Sequence, residues 1–282
     1  MATDLQTEAR LLAAGVTRRS AVRVGARRGD DDDLVVVEEP LEIRVDGETV
    51  AVTMRTPGED ARLAVGFLFG EGIISGLADL GSVAHCGRPG EEGYGNVIDV
   101  HPAPGVEVDI ARVLDSRRFT LTTAACGVCG RRTIEDLLRR CAPVPVAAAR
   151  LPAAEVARAV GRLRDVQPNF ARTGGLHAAA LFDAAGKLIA AYEDIGRHNA
   201  VDKTVGELLY RQQLGHCALL AVSGRASFEI VQKACAARIG VVASVSAASS
   251  LAIDLAAAAG VTMVGFVRDA SFNVYAHPER LA

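Results

Sequence analysis

Residues 218–267 read ALLAVSGRASFEIVQKACAARIGVVASVSAASSLAIDLAAAAGVTMVGFV, a stretch in which short apolar runs alternate with segments of helical periodicity. The apolar runs are Ala218–Val222, Val241–Val245 and Val261–Val267, and helices are predicted over Phe228–Ile239 and Leu251–Ala259. Apolar strands that alternate with helices are typical of a sheet with helices on both faces. The stretch therefore predicts an α/β core.

The flanking residues add an antiparallel hairpin before this core and one strand after it. His177–Phe182 and Leu188–Tyr192 predict the hairpin, Ala200–Arg211 predicts a helix, and Asn273–Tyr275 predicts the last strand. This order of elements is that of the zinc-dependent deaminases, so we predict a cytidine-deaminase-like mixed sheet. Deamination is not predicted, because His177 is followed by two alanines where that chemistry needs His-x-Glu.

The first half of the chain predicts a smaller α+β domain. Apolar and polar residues alternate on both sides of Asp46-Gly47, which is a strong hairpin signal, and another hairpin is predicted over Ser82–Val100. Thr56–Glu59 predicts a helix start, with Thr56 as the N-cap and a proline at the first helical position.

Three segments follow from these patterns. The prolines between Pro143 and Pro152 indicate a boundary between the α+β domain, residues 34–142, and the deaminase-like domain, residues 143–282. Residues 1–33 contain an arginine-rich stretch followed by Asp30–Asp33, which predicts a solvated, mobile tail. The fold class predicted for the whole chain is α/β, or α+β overall.

Polar residues follow several of the predicted strands of the second domain. Ser223-Gly224-Arg225 and Ser246–Ser250 each open a helix, and Glu193–Asn199 combines acids, a glycine, an arginine and a histidine before another helix. Each stretch alone could be a helix cap or a structural ion pair. Because ligands of such sheets bind outside the carboxyl ends of the strands, we predict an anion site there. No Gly-x-Gly-x-x-Gly motif is present, so a Rossmann nicotinamide site is not expected.

A thiol pair lies in the first half, at Cys126-Gly127-Val128-Cys129-Gly130, and Arg131 and Arg132 follow it at once. Nearby cations lower the pKa of such thiols, so Cys126 and Cys129 are predicted to be reactive. Three other interpretations stay open: half of a structural zinc site, a thioredoxin-like redox pair, and two incidental buried cysteines. The zinc site lacks a second Cys-x-x-Cys. The redox pair lacks a long helix, because only a brief helical stretch, Thr133–Arg140, follows the possible strand Phe119–Thr123.

Composition excludes some classes of function. The formal net charge is −3, whereas a general nucleic-acid binder carries a marked excess of Lys and Arg. The N-terminal stretch has acids where a secretion signal carries positive charge, and the chain has no apolar run long enough to span a membrane. We therefore expect a cytoplasmic protein that binds neither nucleic acid nor membranes.

Several of these stretches together resemble the FdhD family, the formate dehydrogenase sulfur carrier proteins. The resemblance covers nearly the whole chain from about Glu38 onward, and the run Glu-Asp-Ile-Gly-Arg-His-Asn-Ala-Val-Asp-Lys from Glu193 is highly specific. The stretches that carry it are Arg55–Gly58, Gly66–Ile74, Cys126–Gly130, Thr173–His177, Glu193–Asp202, Ser223–Glu229 and Gly265–Arg268.

The resemblance implies a sulfurtransferase. Family members take a persulfide from a cysteine desulfurase and pass its sulfur to the molybdenum of Mo-bis(molybdopterin guanine dinucleotide), the bound substrate that formate dehydrogenase then uses. Carried over, the persulfide sits on Cys126 and Cys129 assists. No resident metal is implied, and the family's proteins are homodimers that enclose the cofactor. The implied cofactor-binding segment is Phe266, Val267, Arg268, Asp269, Ala270 and Ser271.

The phosphates of that cofactor need arginines and helix starts at the sheet edge, and Arg197, Arg225 and Arg268 are the candidates. Asp269 stands where family members often have a small or basic residue. Two other functions stay open beside sulfur transfer: a thiol-disulfide redox protein, which would need both cysteines equally, and a non-catalytic chaperone of the molybdenum cofactor.

Overall fold

The structure is a computed structural model that describes residues 2–25, 28–88, 94–108, 134–135, 137–139, 141–145 and 150–282. The strands are β1 (Val16–Val24), β2 (Arg28–Val36), β3 (Glu39–Val45), β4 (Glu48–Arg55), β5 (Leu80–His85), β6 (Val97–Pro102), β7 (His177–Phe182), β8 (Leu188–Asp194), β9 (Leu219–Val222), β10 (Val241–Ser244), β11 (Thr262–Arg268) and β12 (Ser271–Ala276). The helices are α1 (Ala2–Ala13), α2 (Asp60–Gly70), α3 (Ala153–Gly161), α4 (Pro168–Thr173), α5 (Arg197–Tyr210), α6 (Phe228–Ala236) and α7 (Ser250–Ala259). Short 3-10 helices cover Leu77–Asp79, Arg162–Val166 and Pro278–Arg280.

The second half of the chain contains a six-stranded mixed sheet with the strand order β12-β11-β10-β9-β7-β8. Strands β9, β10 and β11 are parallel to one another, whereas β7, β8 and β12 are antiparallel to their neighbours. Every residue of β9 and β10 is buried, which is why both strands are continuous apolar runs in the sequence. The predicted order of hairpin, helices and strands is confirmed.

Alternate residues of this sheet pack into two hydrophobic cores, one on each face. Ala179, Leu220 and Met263 join a core that also contains residues of α2, α5, α6 and α7. Ala180 and Ala221 face the opposite way, into a core that α3 completes. The prediction of helices on both faces is therefore confirmed.

A four-stranded sheet with the order β4-β3-β6-β5 shares the first of these cores. It contains the two hairpins predicted around Asp46-Gly47 and within Ser82–Val100. Helices α2 and α5 cross between the two sheets with their backbones in contact. A β-carbon on Gly66 would lie 1.9 Å from the Asp202 carbonyl oxygen, and one on Gly206 would lie 2.1 Å from the Arg62 carbonyl oxygen. Only glycine fits at these two positions.

The N-terminal segment, predicted to be a solvated, mobile tail over residues 1–33, contains regular secondary structure. It forms α1 and an antiparallel hairpin of β1 and β2, and most of the hairpin is exposed to solvent. Arg19 lies opposite Asp33 in the hairpin, and diagonal contacts bring Arg23 within 2.8 Å of Asp31 and Arg18 within 3.9 Å of Asp32. Opposite charges on adjacent strands stabilise the pairing. From the sequence, the arginine-rich stretch and Asp30–Asp33 were expected to be solvated separately, whereas the pairing of β1 with β2 brings some of these charges into ion pairs.

The helix start predicted at Thr56 is also corrected. Helix α2 begins at Asp60, and Glu59 before it has a left-handed backbone with a φ of 61°. Thr56 instead joins the two halves of the chain, because its Oγ1 accepts a hydrogen bond from Ile195 N at 3.2 Å and its own N–H donates to Asp194 at 3.3 Å. A local capping pattern was overridden by a contact that is distant in sequence.

Some predictions lie outside the described residues, among them the Cys126–Gly130 loop and the strand Phe119–Thr123. In the helix expected over residues 133–140, the described residues 134–135 and 137–139 are helical. The domain boundary near residue 143 stays a prediction. In the described part of the chain, the helices are too short or too polar to cross a membrane.

Candidate functional site

The polar stretches noted in the sequence meet at one edge of the six-stranded sheet. Strands β8, β9, β10 and β11 end there, and β7 begins there with His177, because it is antiparallel to β8 and β9. This edge, which we call the polar edge, carries Glu193–Asn199, Ser223–Arg225, Ser246–Ser250 and Phe266–Ser271. The convergence expected from the sequence is thus observed.

Hydrogen bonds between adjacent loops fix the shape of the polar edge. Ala226 N donates to Ala247 O at 3.0 Å, and Ser249 N donates to Ala226 O at 3.1 Å. On the next strand, Phe266 N donates to Ser246 O at 3.0 Å. The loops after β9, β10 and β11 therefore form one connected surface rather than separate caps.

The turn at Ser223–Arg225 presents backbone N–H groups. Ser244 Oγ donates to the Gly224 carbonyl oxygen at 2.7 Å, which turns this carbonyl toward the sheet. In a trans peptide the N–H points opposite to the carbonyl, so the Arg225 N–H points away from the sheet. Within the described ranges, neither the Gly224 nor the Arg225 N–H has a hydrogen-bond partner. Such groups can bind an anion.

Four residues lie together around this turn, and two of them are arginines. We call this group, His177, Arg197, Gly224 and Arg225, the anion cradle. A β-carbon on Gly224 would lie 3.1 Å from His177 Nδ1 and 3.3 Å from Arg197 Cβ and Cδ. The Nε atom of Arg197 is buried and has no hydrogen-bond partner in the part of the chain that the structure describes. A buried charged donor without a partner is costly, so it favours an anionic ligand.

Helix α5 supplies Arg197 at its first residue, and a buried network holds this start in place. The carboxylate of Asp194 accepts hydrogen bonds from Gly196 N at 2.8 Å and from Asn199 Nδ2 at 3.0 Å. Lys203 Nζ lies 2.8 Å from the same carboxylate, and both side chains are nearly inaccessible to solvent. The helix has no side-chain cap, so its N-terminal N–H groups face the edge.

The segment Phe266–Ser271 combines an exposed aromatic ring with a strained backbone. Phe266 has a φ of 55° and its side chain is exposed at a β-bulge between Gly265 and Arg268. A bulge can redirect a side chain, and an exposed ring can stack on a base. Arg268 Nη1 donates to Val245 O at 2.6 Å, so part of its guanidinium is used within the fold. Asp269 is exposed with a φ of 50°.

A cavity of about 230 Å³ lies beside the polar edge, between β4 and helices α2, α5 and α6. His198 Nε2 lies 2.7 Å from Glu229, and Lys233 Nζ lies 2.7 Å from Asp202. The hydrogen bond from His198 lowers the pKa of Glu229. Burial raises the pKa of Asp202 to about 6, although Lys233 opposes this change. The cavity is lined by Ala51, Val52, Thr53, Phe67, Glu71, His198, Asn199, Asp202, Glu229 and Lys233.

The two ion pairs of this cavity were not predicted from the sequence. His198 and Asp202 lie in a stretch that had been noted, but their partners Glu229 and Lys233 belong to another helix. The spacing of residues along the sequence does not show which residues of two different helices will be in contact. The charged residues at positions 229 and 233, one turn apart in a mostly apolar helix, were the available signal.

The cysteines in the described part of the chain differ in their burial. Cys217 and Cys235 are buried, and burial raises the pKa of each thiol to about 12, so neither is reactive. Cys86 is partly exposed. The predicted reactive pair, Cys126 and Cys129, lies outside the described residues. Where the structure describes the chain, no cluster of His, Cys, Asp or Glu side chains could hold a metal ion.

Comparison with known proteins adds a family to this geometry. The sequence model of the FdhD/NarQ family matches residues 36–282. The chain belongs to the FdhD/NarQ family. A relative from Anaeromyxobacter dehalogenans, named Sulfur carrier protein FdhD, is 58% identical over 276 residues, which cover 95% of this chain and 94% of the relative. A relative of the same name from Streptomyces coelicolor is 47% identical over 273 residues, or 94% and 95% of the two chains.

A solved structure of an FdhD/NarQ-like fold also matches. It is described as a candidate formate dehydrogenase accessory protein from Desulfotalea psychrophila, and it superposes with a TM-score of 0.73 and 25% identity. The match covers 95% of this chain and 99% of that one. The resemblance noted in the sequence is therefore confirmed as family membership, and the α+β fold class is confirmed with it.

Proposed function

We propose that this chain is a sulfur carrier and sulfurtransferase. It accepts a persulfide from a cysteine desulfurase on Cys126, with Cys129 assisting, and delivers the sulfur to a molybdenum cofactor for formate dehydrogenase. Membership of the FdhD/NarQ family, whose relatives carry the name Sulfur carrier protein FdhD, supports the carrier role. The partners are a cysteine desulfurase and formate dehydrogenase, and the protein acts in the cytoplasm as a homodimer.

The observation that carries the binding half of this proposal is the anion cradle beside an exposed aromatic ring. A bis(molybdopterin guanine dinucleotide) cofactor has several phosphates and flat bases. Arg197, Arg225 and the free N–H groups at Gly224 suit phosphates, because oriented N–H groups and guanidinium groups bind them well. Phe266 suits a base, with Val267, Arg268, Asp269, Ala270 and Ser271 completing the segment. The cofactor is a substrate here and supplies the molybdenum that receives the sulfur.

Loading is a thiol exchange. The Cys126 thiolate attacks the outer sulfur of the donor's persulfide, the bond between the two donor sulfurs breaks, and the donor leaves as a thiolate. The outer sulfur is then bonded to Cys126. A thiolate and access for the donor are the requirements, and Arg131 and Arg132 in the sequence favour the thiolate.

Intact-protein mass spectrometry tests the loading step. The protein is incubated with a cysteine desulfurase and cysteine, and the loop peptide is then mapped. We expect a gain of one sulfur atom on Cys126 that a reductant removes. Cys86→Ala is the matched control, because Cys86 is a partly exposed free thiol outside the Cys126–Gly130 stretch, and it should load normally.

Two results of this experiment would contradict the proposal. If no sulfur is added and Cys126 and Cys129 instead lose a pair of hydrogen atoms, the chain is a thiol-disulfide redox protein. If loading is normal in Cys126→Ala, the carrier thiol has been assigned to the wrong residue.

A further inference from the structure

His177 differs from the other histidines in the described ranges, because it is half-buried and its ring has no hydrogen-bond partner there. His85, His101, His198 and His277 each have a ring nitrogen within 3.4 Å of a carbonyl, hydroxyl or carboxylate oxygen. His216 also lacks a partner within these ranges, but it is exposed, so water can serve it. A half-buried imidazole without a partner needs another explanation.

The ring of His177 is held at the centre of the anion cradle. Ser223 N donates to Ala178 O at 3.0 Å, and Ala178 N donates to Ser223 Oγ at 2.9 Å, so the start of β7 is fixed to the turn after β9. The ring then lies against Gly224, where an added β-carbon would be 3.1 Å from Nδ1. His177 and the buried Nε of Arg197 thus flank the same glycine.

The charges around His177 are mainly positive. Burial lowers the pKa of His177, and Arg197, His198 and Arg225 lower it further, while Asp194 alone opposes them. Asp194 is already engaged by Gly196, Asn199 and Lys203. The imidazole is therefore neutral near pH 7 when the cradle is empty. A bound anion adds negative charge at this point and favours the protonated ring.

We propose that His177 is a further anion-binding residue of the cradle, which donates a ring hydrogen bond to a bound phosphate or sulfate oxygen and takes up one proton as the anion binds. The inference rests on the binding half of the proposed function and adds a proton linkage to it. Affinity should then rise as the pH falls through the range in which the ring is neutral in the empty cradle and protonated in the occupied one.

The sign of this effect follows from the direction of the shift. The pKa of His177 is lowered in the empty cradle and rises when the anion binds. Between these two values the bound state holds one more proton, so acid favours binding. Below the lower value the ring is protonated in both states, and the pH dependence ends.

Nuclear magnetic resonance titration of the histidine rings tests the proposal. Sulfate is the probe, because it keeps its full charge between about pH 5 and 8, the range in which histidines titrate. The His177 signal is assigned by its loss in His177→Gln. We expect its midpoint to rise by about 1 pH unit or more in saturating sulfate, as a new charged hydrogen bond implies. The His216 midpoint should stay unchanged, since His216 precedes β9 at the opposite end of the strand.

Binding of guanosine diphosphate measured by calorimetry gives a second readout. His177→Gln keeps a hydrogen-bonding side chain but cannot take up a proton, so at about pH 6 it should bind about tenfold more weakly than the unmodified protein. It should also take up about one proton fewer on binding than the unmodified protein at the same pH. His216→Gln is the matched control and should bind normally with normal proton uptake.

The outcomes separate the two proposals. Nucleotide binding without proton uptake and without a sulfate-induced shift at His177 overturns this inference alone. No binding of either anion overturns it together with the anion cradle. Normal proton-coupled binding with no sulfur on Cys126 overturns the carrier proposal alone. If His177→Gln does not fold, the His177 signal is assigned in the unmodified protein by triple-resonance experiments, and the shift of its midpoint still decides.

Discussion

The middle and the start of α5 are built on opposite principles. In the middle of the helix, Gly206 touches the backbone of α2 so closely that no side chain fits, and the contact is buried. At its start, Arg197 has a buried donor without a partner in the described ranges, and nearby N–H groups are free. The first region is complete by itself, whereas the second is complete only with an anion. Substitutions should therefore damage folding in one region and binding in the other.

The largest expected effect is at the helix crossing. In Gly66→Ala the new methyl group would lie 1.9 Å from the Asp202 carbonyl oxygen. This oxygen belongs to the backbone of α5, so it cannot rotate away as a side chain could. We expect a loss of about 5 kcal/mol of unfolding free energy or no folded protein, at the upper end for overpacking. Urea unfolding measures this. Gly161→Ala, in open space at the end of α3, is the control and should be neutral or stabilising. A stable Gly66→Ala protein would show that the two helices are not in contact.

The buried pair that supports the start of α5 should come next. Lys203→Met leaves the Asp194 carboxylate buried without its ammonium partner. We expect a loss of about 3–5 kcal/mol, because an isolated buried charge is strongly unfavourable. The control is Lys187→Met, at the exposed turn before β8. Equal stability of the two variants in urea would mean that Asp194 is adequately solvated without Lys203.

A substitution at the polar edge should weaken the binding of an anion but leave the stability of the fold unchanged. Arg225 is exposed, so Arg225→Ala should keep the melting temperature, yet bind guanosine diphosphate about tenfold more weakly through the loss of a charged hydrogen bond. Arg172→Ala, an exposed arginine of α4, is the control. Calorimetry at fixed salt compares them. Indistinguishable affinities would remove Arg225 from the site.

The smallest effect concerns the pair next to the edge. The His198 hydrogen bond lowers the pKa of Glu229, so this pair stabilises the fold above the ordinary glutamate range and the contribution is lost as the pH falls through the lowered value. His198→Gln should raise the Glu229 pKa toward its ordinary value, which a carboxyl-carbon titration by nuclear magnetic resonance would detect. His216→Gln should leave it unchanged. A constant Glu229 pKa in His198→Gln would mean that the two side chains do not interact.

The polar edge and the helix crossing also differ in how well they could be predicted from the sequence. The polar edge was predictable, because short strands ending at Val222 and Val245 must bring their following loops together once the sheet is parallel there. The Gly66 and Gly206 contact was not, since nothing along the chain states which glycines of two distant helices will meet. The pairs His198–Glu229 and Lys203–Asp194 depend on the same packing.

Local patterns failed where a distant contact was stronger. Thr56–Glu59 satisfied the pattern of a helix start, but the Thr56 hydroxyl is used by Ile195 instead. Residues 1–33 had the composition of a solvated tail, but β1 and β2 form a hairpin in which Arg19 lies opposite Asp33 and Arg23 forms a diagonal ion pair with Asp31. In both cases the local pattern was present, but a tertiary partner decided the structure.

The central claim is that a persulfide at Cys126 supplies sulfur to a cofactor held at the polar edge. The most direct test is formate dehydrogenase activity in a strain that carries Cys126→Ala, with Cys86→Ala as the matched control and molybdenum cofactor content measured in both. The account predicts that Cys126→Ala abolishes formate oxidation without lowering cofactor content, while Cys86→Ala retains activity. Unchanged formate oxidation in the Cys126→Ala strain would contradict it.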